Sequence, residues 1–330
     1  MSYRLRPSLR GQTLNDHVQK AAEARPPLIE GLISEGATVM TYAAPGIGKS
    51  TIILCAVAQA SSGSLVFGQL PCVRPLKTYY LVAERTVQEP LERLRLMQKR
   101  ITINWNNLIL DDGYSGIANV TREEFANELL GVIKTAFDGS PPDIVVMDPI
   151  YCFVPGGFSK EDRTQDFIRF SGRLSSQLGC SVWWNHHATK DIYAEGAKVE
   201  REDPYYGPVW LKAAATCTFQ ALPSEDGITL HAKKDNYRTA FKTLPLIYDS
   251  MTCVSELNTE YGSLYAKDRA LIFLNSCAGT GHEFTFDDFC TTVKVSDSRG
   301  RDLFSDTSIK PRLVEVKRLN KKLLYRAKPL

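Results

Sequence analysis

The sequence has no apolar run long enough to cross a bilayer, so no membrane-spanning helix organises it. Its first residues, Met1-Ser2-Tyr3-Arg4-Leu5-Arg6, lack the apolar stretch of a secretory signal. Eight cysteines are scattered without a Cys-x-x-Cys pair or a His/Cys cluster. That pattern argues against structural zinc and for a reducing compartment, the cytoplasm of a cell or of an infected host. No internal repeat or low-complexity tract is present. Net charge is also small: 40 basic residues face 37 acidic ones, giving +3, which by itself selects no partner.

What is present is a chain of 330 residues, 43% hydrophobic, enough for one large domain and a small one. The charge is unevenly placed. From Gly300 onward nine basic residues (Arg301, Lys310, Arg312, Lys317, Arg318, Lys321, Lys322, Arg326, Lys328) face three acids (Asp302, Asp306, Glu315). A basic tail on a mildly acidic body suggests a polyanionic partner.

Residues 1–27 are polar, end at Pro26-Pro27, and read as an N-terminal arm. Residues 28–257 alternate strand-like and helix-like segments. Strands are expected at 38–42, 78–83, 107–110, 143–147, 180–185, 215–222, 227–232 and 241–248, and helices at 49–61, 87–99, 122–137 and 164–178. Such alternation predicts an α/β fold with a mostly parallel sheet under helices. The last three strands are close in sequence, with Asp226-Gly227 as a turn, and predict an antiparallel extension at the sheet edge. Asn258 to Gly262 reads as a linker opening a C-terminal unit, 258–330. There, 268–278 is amphipathic, with Gly279 as its expected stop. Thr285-Phe286-Asp287-Asp288 looks like a capped helix start. The stretch 309–325 fits either a helix or a shorter helix followed by a hairpin, 314–319 with 323–328. The hairpin version makes this unit a winged-helix-like module.

The chemistry begins at Ala43-Ala44-Pro45-Gly46-Ile47-Gly48-Lys49-Ser50. This is a P-loop with Ala in place of the first glycine, set between a β-like run and a helix-like run. Backbone N–H groups in such a loop, with the following helix N-terminus, surround a phosphate. Ala44, Pro45, Gly46, Ile47, Gly48, Lys49, Ser50 and Thr51 form the expected cradle. Lys49 would reach the β- and γ-phosphates and Ser50 the Mg²⁺. A second element, Asp143-Ile144-Val145-Val146-Met147-Asp148, is a buried-strand run ending in a carboxylate suited to Mg²⁺. Pro149 follows Asp148, so a water-activating carboxylate must lie elsewhere. Glu84, at the end of Thr78-Tyr79-Tyr80-Leu81-Val82-Ala83, is a candidate base. The competing reading makes it a surface residue paired with Arg85.

Together with Trp183-Trp184-Asn185-His186-His187-Ala188-Thr189-Lys190, these motifs resemble the RecA/DnaB superfamily of ATPases. They are most similar to RepA-type hexameric replicative helicases of plasmids and their AAA-labelled phage relatives. The resemblance covers about Pro27 to Tyr248. It implies a RecA-like core, ATP and Mg²⁺ as ligands, Glu84 as base, Asp148 as the magnesium aspartate, and His186 or His187 as reporter of the γ-phosphate. It implies basic fingers reaching a neighbouring subunit from His231-Ala232-Lys233-Lys234-Asp235-Asn236-Tyr237-Arg238. Asp235 stands where the usual second cation falls, which leaves Lys233, Lys234 and Arg238 as candidates. It also implies that two loops line a ring channel and touch single-stranded DNA. One is 151–165, with Gly156-Gly157, Phe158, Lys160 and Arg163. The other is 190–208, with Lys198, Arg201, Tyr205 and Tyr206 but also five acids.

The implied activity is that of an oligomeric ATP-driven motor on single-stranded nucleic acid, a hexameric DNA helicase. Its C-terminal module would meet nucleic acid or a replication or recombination protein. The alternative is an ATP-dependent DNA-binding switch, such as a recombination mediator or a helicase or primase loader. A small-molecule P-loop kinase fits less well, because the Glu84 strand tip and the His-His-x-x-Lys strand end do not suit it.

Overall fold

A computed structural model describes residues 26–84, 86–159, 161–187, 192–194, 197–199, 208–224, 227–236, 241–258, 266–306, 308–319 and 322–328. The expected N-terminal arm, apart from Pro26 and Pro27, and most of the 258–262 linker lie outside these residues. No helix among the described residues is long and apolar enough to cross a membrane.

The segments with alternating or continuous apolar character become one nine-stranded sheet. Its parallel part comprises β3 (Thr38–Ala43), β4 (Thr78–Val82), β5 (Leu108–Asp111), β6 (Ile144–Asp148), β7 (Ser181–His187) and β10 (Cys217–Ser224). These lie side by side in the order β10-β3-β7-β6-β4-β5. β10 pairs parallel with β3, so the antiparallel extension begins only at β11 (Gly227–Asp235). It continues through β12 (Thr243–Asp249) to β13 (Val254–Leu257), the edge strand. Short pieces complete the body: β1 (Pro27–Ile29) with β2 (Ile33–Ser34) before the sheet, and the hairpin β8 (Ile192–Ala194) with β9 (Ala197–Val199) after β7.

Successive strand residues point to opposite faces, and the core divides accordingly. Val39, Ile144, Val146 and Trp183 join one apolar cluster, and Met40, Val145, Met147 and Trp184 the other. The first face carries α1 (Lys49–Ser61) and α2 (Gln88–Met97). The second carries α3 (Glu123–Lys134), α4 (Glu161–Leu178) and α5 (Val209–Ala214). α1 is apolar on all sides and buried from Thr51 to Ser61. A helix of that composition belongs inside the protein.

The C-terminal unit contains α6 (Ala266–Thr280), β14 (Glu283–Thr285), α7 (Phe286–Val293), α8 (Asp297–Phe304) and the hairpin β15 (Leu313–Leu319) with β16 (Lys322–Ala327). The 309–325 stretch therefore takes the hairpin alternative. Thr285 caps α7 as expected, its hydroxyl accepting from the Asp288 N–H while the Asp288 side chain accepts from the Thr285 N–H. Gly279 does not stop α6. The helix runs one residue past it, and Gly281 takes the left-handed turn at φ 66°. β14 has to reverse direction after the turn at Gly281 to pair with β16, which places the stop two residues later than expected.

This unit shares the first face's apolar cluster: Leu271, Leu274, Phe284, Phe289, Ile309 and Ala327 are continuous with the α1 side of the sheet. A buried polar joint adds to it. The Arg312 guanidinium donates to Glu30 at 2.9 Å and to Asn275 at 2.6 Å, and the Asn275 amide donates to the Gln69 carbonyl.

Candidate active site

Strand register assembles the site. Asp148 ends β6 opposite Val82 of β4, so Ala83 and Glu84 stand just past that tip. On the other side Met147 faces Trp184, which sets Asn185 beside Asp148, and Asn185 faces Thr41 of β3. Everything at these strand ends opens onto the loop between β3 and α1, the place where open α/β sheets bind ligands.

The loop adopts the cradle its sequence predicts. Gly46 and Gly48 take φ of 79° and 96°, which side-chain-bearing residues avoid. A Cβ at Gly48 would also stand 3.2 Å from the Ile228 side chain, whereas at Gly46 there is open space. Lys49 is buried, and its ammonium donates to the Ala43 and Ala44 carbonyls, each at 3.0 Å. Burial pushes its pKa down to about 8, against the attraction of Asp148 and Glu84.

Asp148 is the most densely held carboxylate in the site. Tyr80 donates its hydroxyl to one oxygen, while Ser50, at 3.2 Å, and the Asn185 amide donate to the other. Asn185 also donates to the Ser50 hydroxyl at 3.1 Å. Burial raises the Asp148 pKa despite these bonds and the nearby Lys49. The Asn185 Oδ1 is buried and has no hydrogen-bond partner.

These groups line a cavity of about 300 Å³, with Glu84, His187 and the first turns of α2 as its other walls. Glu84 is exposed at the rim and accepts a hydrogen bond from Tyr151. From α2 come Glu89, Pro90 and Arg93, and the Arg93 guanidinium is ion-paired with Glu89 one turn earlier. The two histidines separate by strand alternation. His187 reaches the cavity, and burial first and Lys49 second lower its pKa, against Glu84, so its imidazole is neutral at pH 7. His186 is buried on the opposite face, edge-on to Phe158 with centroids 5.9 Å apart.

The expected basic fingers lie at the far end of the molecule's own sheet. β11 starts at Gly227 and Ile228 beside Gly48 and runs away from it. Lys233 and Lys234 are therefore roughly 17 Å along the strand from Ile228 at the usual rise per residue. Lys234 donates to the Ala213 and Ala215 carbonyls at 2.6 Å, closing the end of α5, while Lys233 is exposed. Arg238 lies outside the described residues.

The channel loops are only partly described. In the first, Phe158 is buried between Phe167 and His186 and offers no face to a ligand, which corrects its expected role as a DNA-facing aromatic. The Arg163 guanidinium folds back onto the Pro155 carbonyl, and Lys160 lies outside the described residues. Of the second loop only the β8–β9 backbone and Pro208 are described. Arg85, Lys190, Arg201, Tyr205 and Tyr206, and the side chain of Lys198, are not.

Four site residues escaped sequence reasoning: Tyr80, Asn185, Arg93 and Tyr151. Asn185 had a readable signal, since it shares strand parity with His187 and not with His186. Tyr80 and Tyr151 belong to the site only through inter-strand register and a short turn, neither of which a linear motif records.

Solved structures with the same fold include a helicase-type ATPase domain, at 12% identity and a TM-score of 0.53, covering 74% of this chain and 96% of that one. Another is the structure of a DnaB-like replicative helicase and its interactions with primase, at 12% identity and a TM-score of 0.54, covering 75% and 68%. No curated protein matches the chain in sequence. The AAA domain family model AAA_25 matches residues 4–192, more than half of the sequence. The chain therefore belongs to the AAA domain family, with the fold of the RecA/DnaB class of P-loop ATPases.

Proposed function

We propose that the protein is an oligomeric ATP-hydrolysing motor acting on single-stranded DNA, in the role of a replicative helicase. The observation that carries this reading is Glu84, standing past the tip of β4 beside Lys49 and Asp148 while Pro149 occupies the position after Asp148. The P-loop amides and Lys49 bind the triphosphate. Glu84 orients the attacking water and takes its proton, and His187, neutral and at the cavity wall, reads the terminal phosphate. Arg93 adds a cation on the same wall.

The residues fit Mg²⁺. Ser50 and Asp148 converge as hard oxygen donors, and the buried Asn185 Oδ1 beside them lacks a partner. Among the described residues no cluster of three or more His, Cys, Asp or Glu could hold an ion by itself, so the cation would enter with the nucleotide. When bound, Mg²⁺ supplies neutralisation of charge developing on the phosphates.

A cation completing the site would come from a neighbouring copy, because Lys233, Lys234 and the residues after them sit at the opposite end of β11. With Lys234 engaged locally, Lys233 and Arg238 are the stronger candidates. Residues 258–330, with three helices and a basic hairpin, would act as a winged-helix-like module touching nucleic acid or a replication partner.

The switch reading draws support from the buried Phe158, which takes the aromatic expected to face DNA out of the first loop's surface. A strand-displacement assay separates the two. The motor unwinds a forked duplex with ATP and loses this with Lys49→Ala. A protein that binds single-stranded DNA with ATP yet displaces no strand is the switch.

A further inference from the structure

Tyr151 sits between the two groups that the proposed reaction uses most directly, yet no motif includes it. It belongs to the short 3₁₀ turn Ile150–Phe153 that follows Asp148 and Pro149. In a 3₁₀ turn residues three apart share a face. Ile150 and Phe153 are both fully buried and anchor the turn inward, and the Val120 N–H donates to the Phe153 carbonyl at 3.0 Å. Tyr151 is thereby turned outward and left half-buried at the rim of the cavity.

Two contacts follow. The Tyr151 hydroxyl donates to the Glu84 carboxylate, with the Cys152 thiol adjoining the same oxygen. The Tyr151 ring lies against the His187 imidazole, with centroids 5.1 Å apart and planes tilted by 40°. Glu84 and His187 come from different strands, β4 and β7, with β6 between them. Among the described residues, Tyr151 is the side chain that touches both.

We infer that Tyr151 is a positioning residue that couples the carboxylate of Glu84 to the imidazole of His187. The hydroxyl fixes the carboxylate at the rim, where an exposed glutamate would otherwise sample several rotamers. The ring makes the carboxylate's position depend on where His187 stands. A movement of β7's end, where the chain leads into the β8–β9 hairpin, would then reach Glu84 through one side chain. This inference rests on the reading of Glu84 as base.

The test uses the full chain and steady-state ATP hydrolysis with and without single-stranded DNA, alongside equilibrium ATP binding. Tyr151→Phe keeps the ring and removes the hydroxyl. It should lower kcat by on the order of tenfold while KM and ATP affinity stay unchanged. Tyr151→Leu also removes the ring, and should in addition bring the ratio of DNA-stimulated to basal turnover down toward one. In a Glu84→Gln background Tyr151→Phe should add no further loss, as expected for groups acting as a unit. If Glu84→Gln is inactive while Tyr151→Phe turns over like the wild type, the coupling is wrong and the base assignment stands. If Tyr151→Phe weakens ATP binding in proportion to kcat, the residue is structural and the inference fails. A Tyr151→Leu protein that keeps its full DNA stimulation overturns the link to His187. An active Glu84→Gln protein overturns the underlying reading instead.

Discussion

Burial pushes the Lys49 ammonium down to about 8, so the free site gives up this charge as pH rises through that value. Nucleotide affinity should therefore hold below pH 8 and weaken above it, approaching about tenfold per pH unit. Lys49→Ala, which has no charge to lose, should bind weakly at every pH with no such limb. Titration calorimetry or nucleotide fluorescence between pH 6.5 and about 9.5 reads this directly. At this scale the sequence told much of the story. Gly46, Gly48, Lys49, Ser50, Glu84 and Asp148 are motif residues, and each is found at the cavity. His186 and His187 were indistinguishable as a pair, and only strand alternation sends one to the cavity and the other against Phe158. Asn185 and Tyr80, which hold Asp148, carry no motif because their role arises from neighbouring strands.

At the scale of the element, the turn from β3 into α1 is where backbone conformation and packing meet. Both glycines have positive φ, but only Gly48 also lacks room for a Cβ, with Ile228 at 3.2 Å. Gly46→Ala should cost about 1–2 kcal/mol of stability from the left-handed conformation alone. Gly48→Ala should cost more, and Ile228→Ala in that background should return part of the difference. Chemical denaturation of the three proteins checks the order. The elements themselves were legible because their patterns are strong. The helix after the P-loop runs over the expected residues, and the buried strands fall where apolar runs predict them. Boundaries set by tertiary pairing were not legible. β14 and β16 pair across the C-terminal unit, and that pairing moves the end of α6 from Gly279 to Gly281. Nor could the sequence choose between helix and hairpin for 309–325, since both periods fit a stretch this short.

Across the whole molecule, the C-terminal unit is fastened to the ATPase body by a shared apolar cluster and by Arg312. Its partner Glu30 lies in the turn before the P-loop strand, 282 residues away in sequence. Arg312→Met would strand Glu30 in the interior and should destabilise the protein by about 3–5 kcal/mol. The double variant Glu30→Leu with Arg312→Met should recover most of that loss, because it leaves no buried charge without a partner. Urea denaturation of the single and double variants measures both. A linear reading could not have found this joint. It recorded Arg312 as one of nine tail cations available to a polyanion, whereas burial removes it from that surface.

Glu84, and not a residue following Asp148, is the group held here to activate the water in a RecA-type ATPase. The most direct measurement is ATP hydrolysis by Glu84→Gln in the presence of single-stranded DNA, with ATP binding measured on the same protein. The expected result is unchanged binding and turnover reduced by at least about a hundredfold. Wild-type hydrolysis by Glu84→Gln would contradict that role.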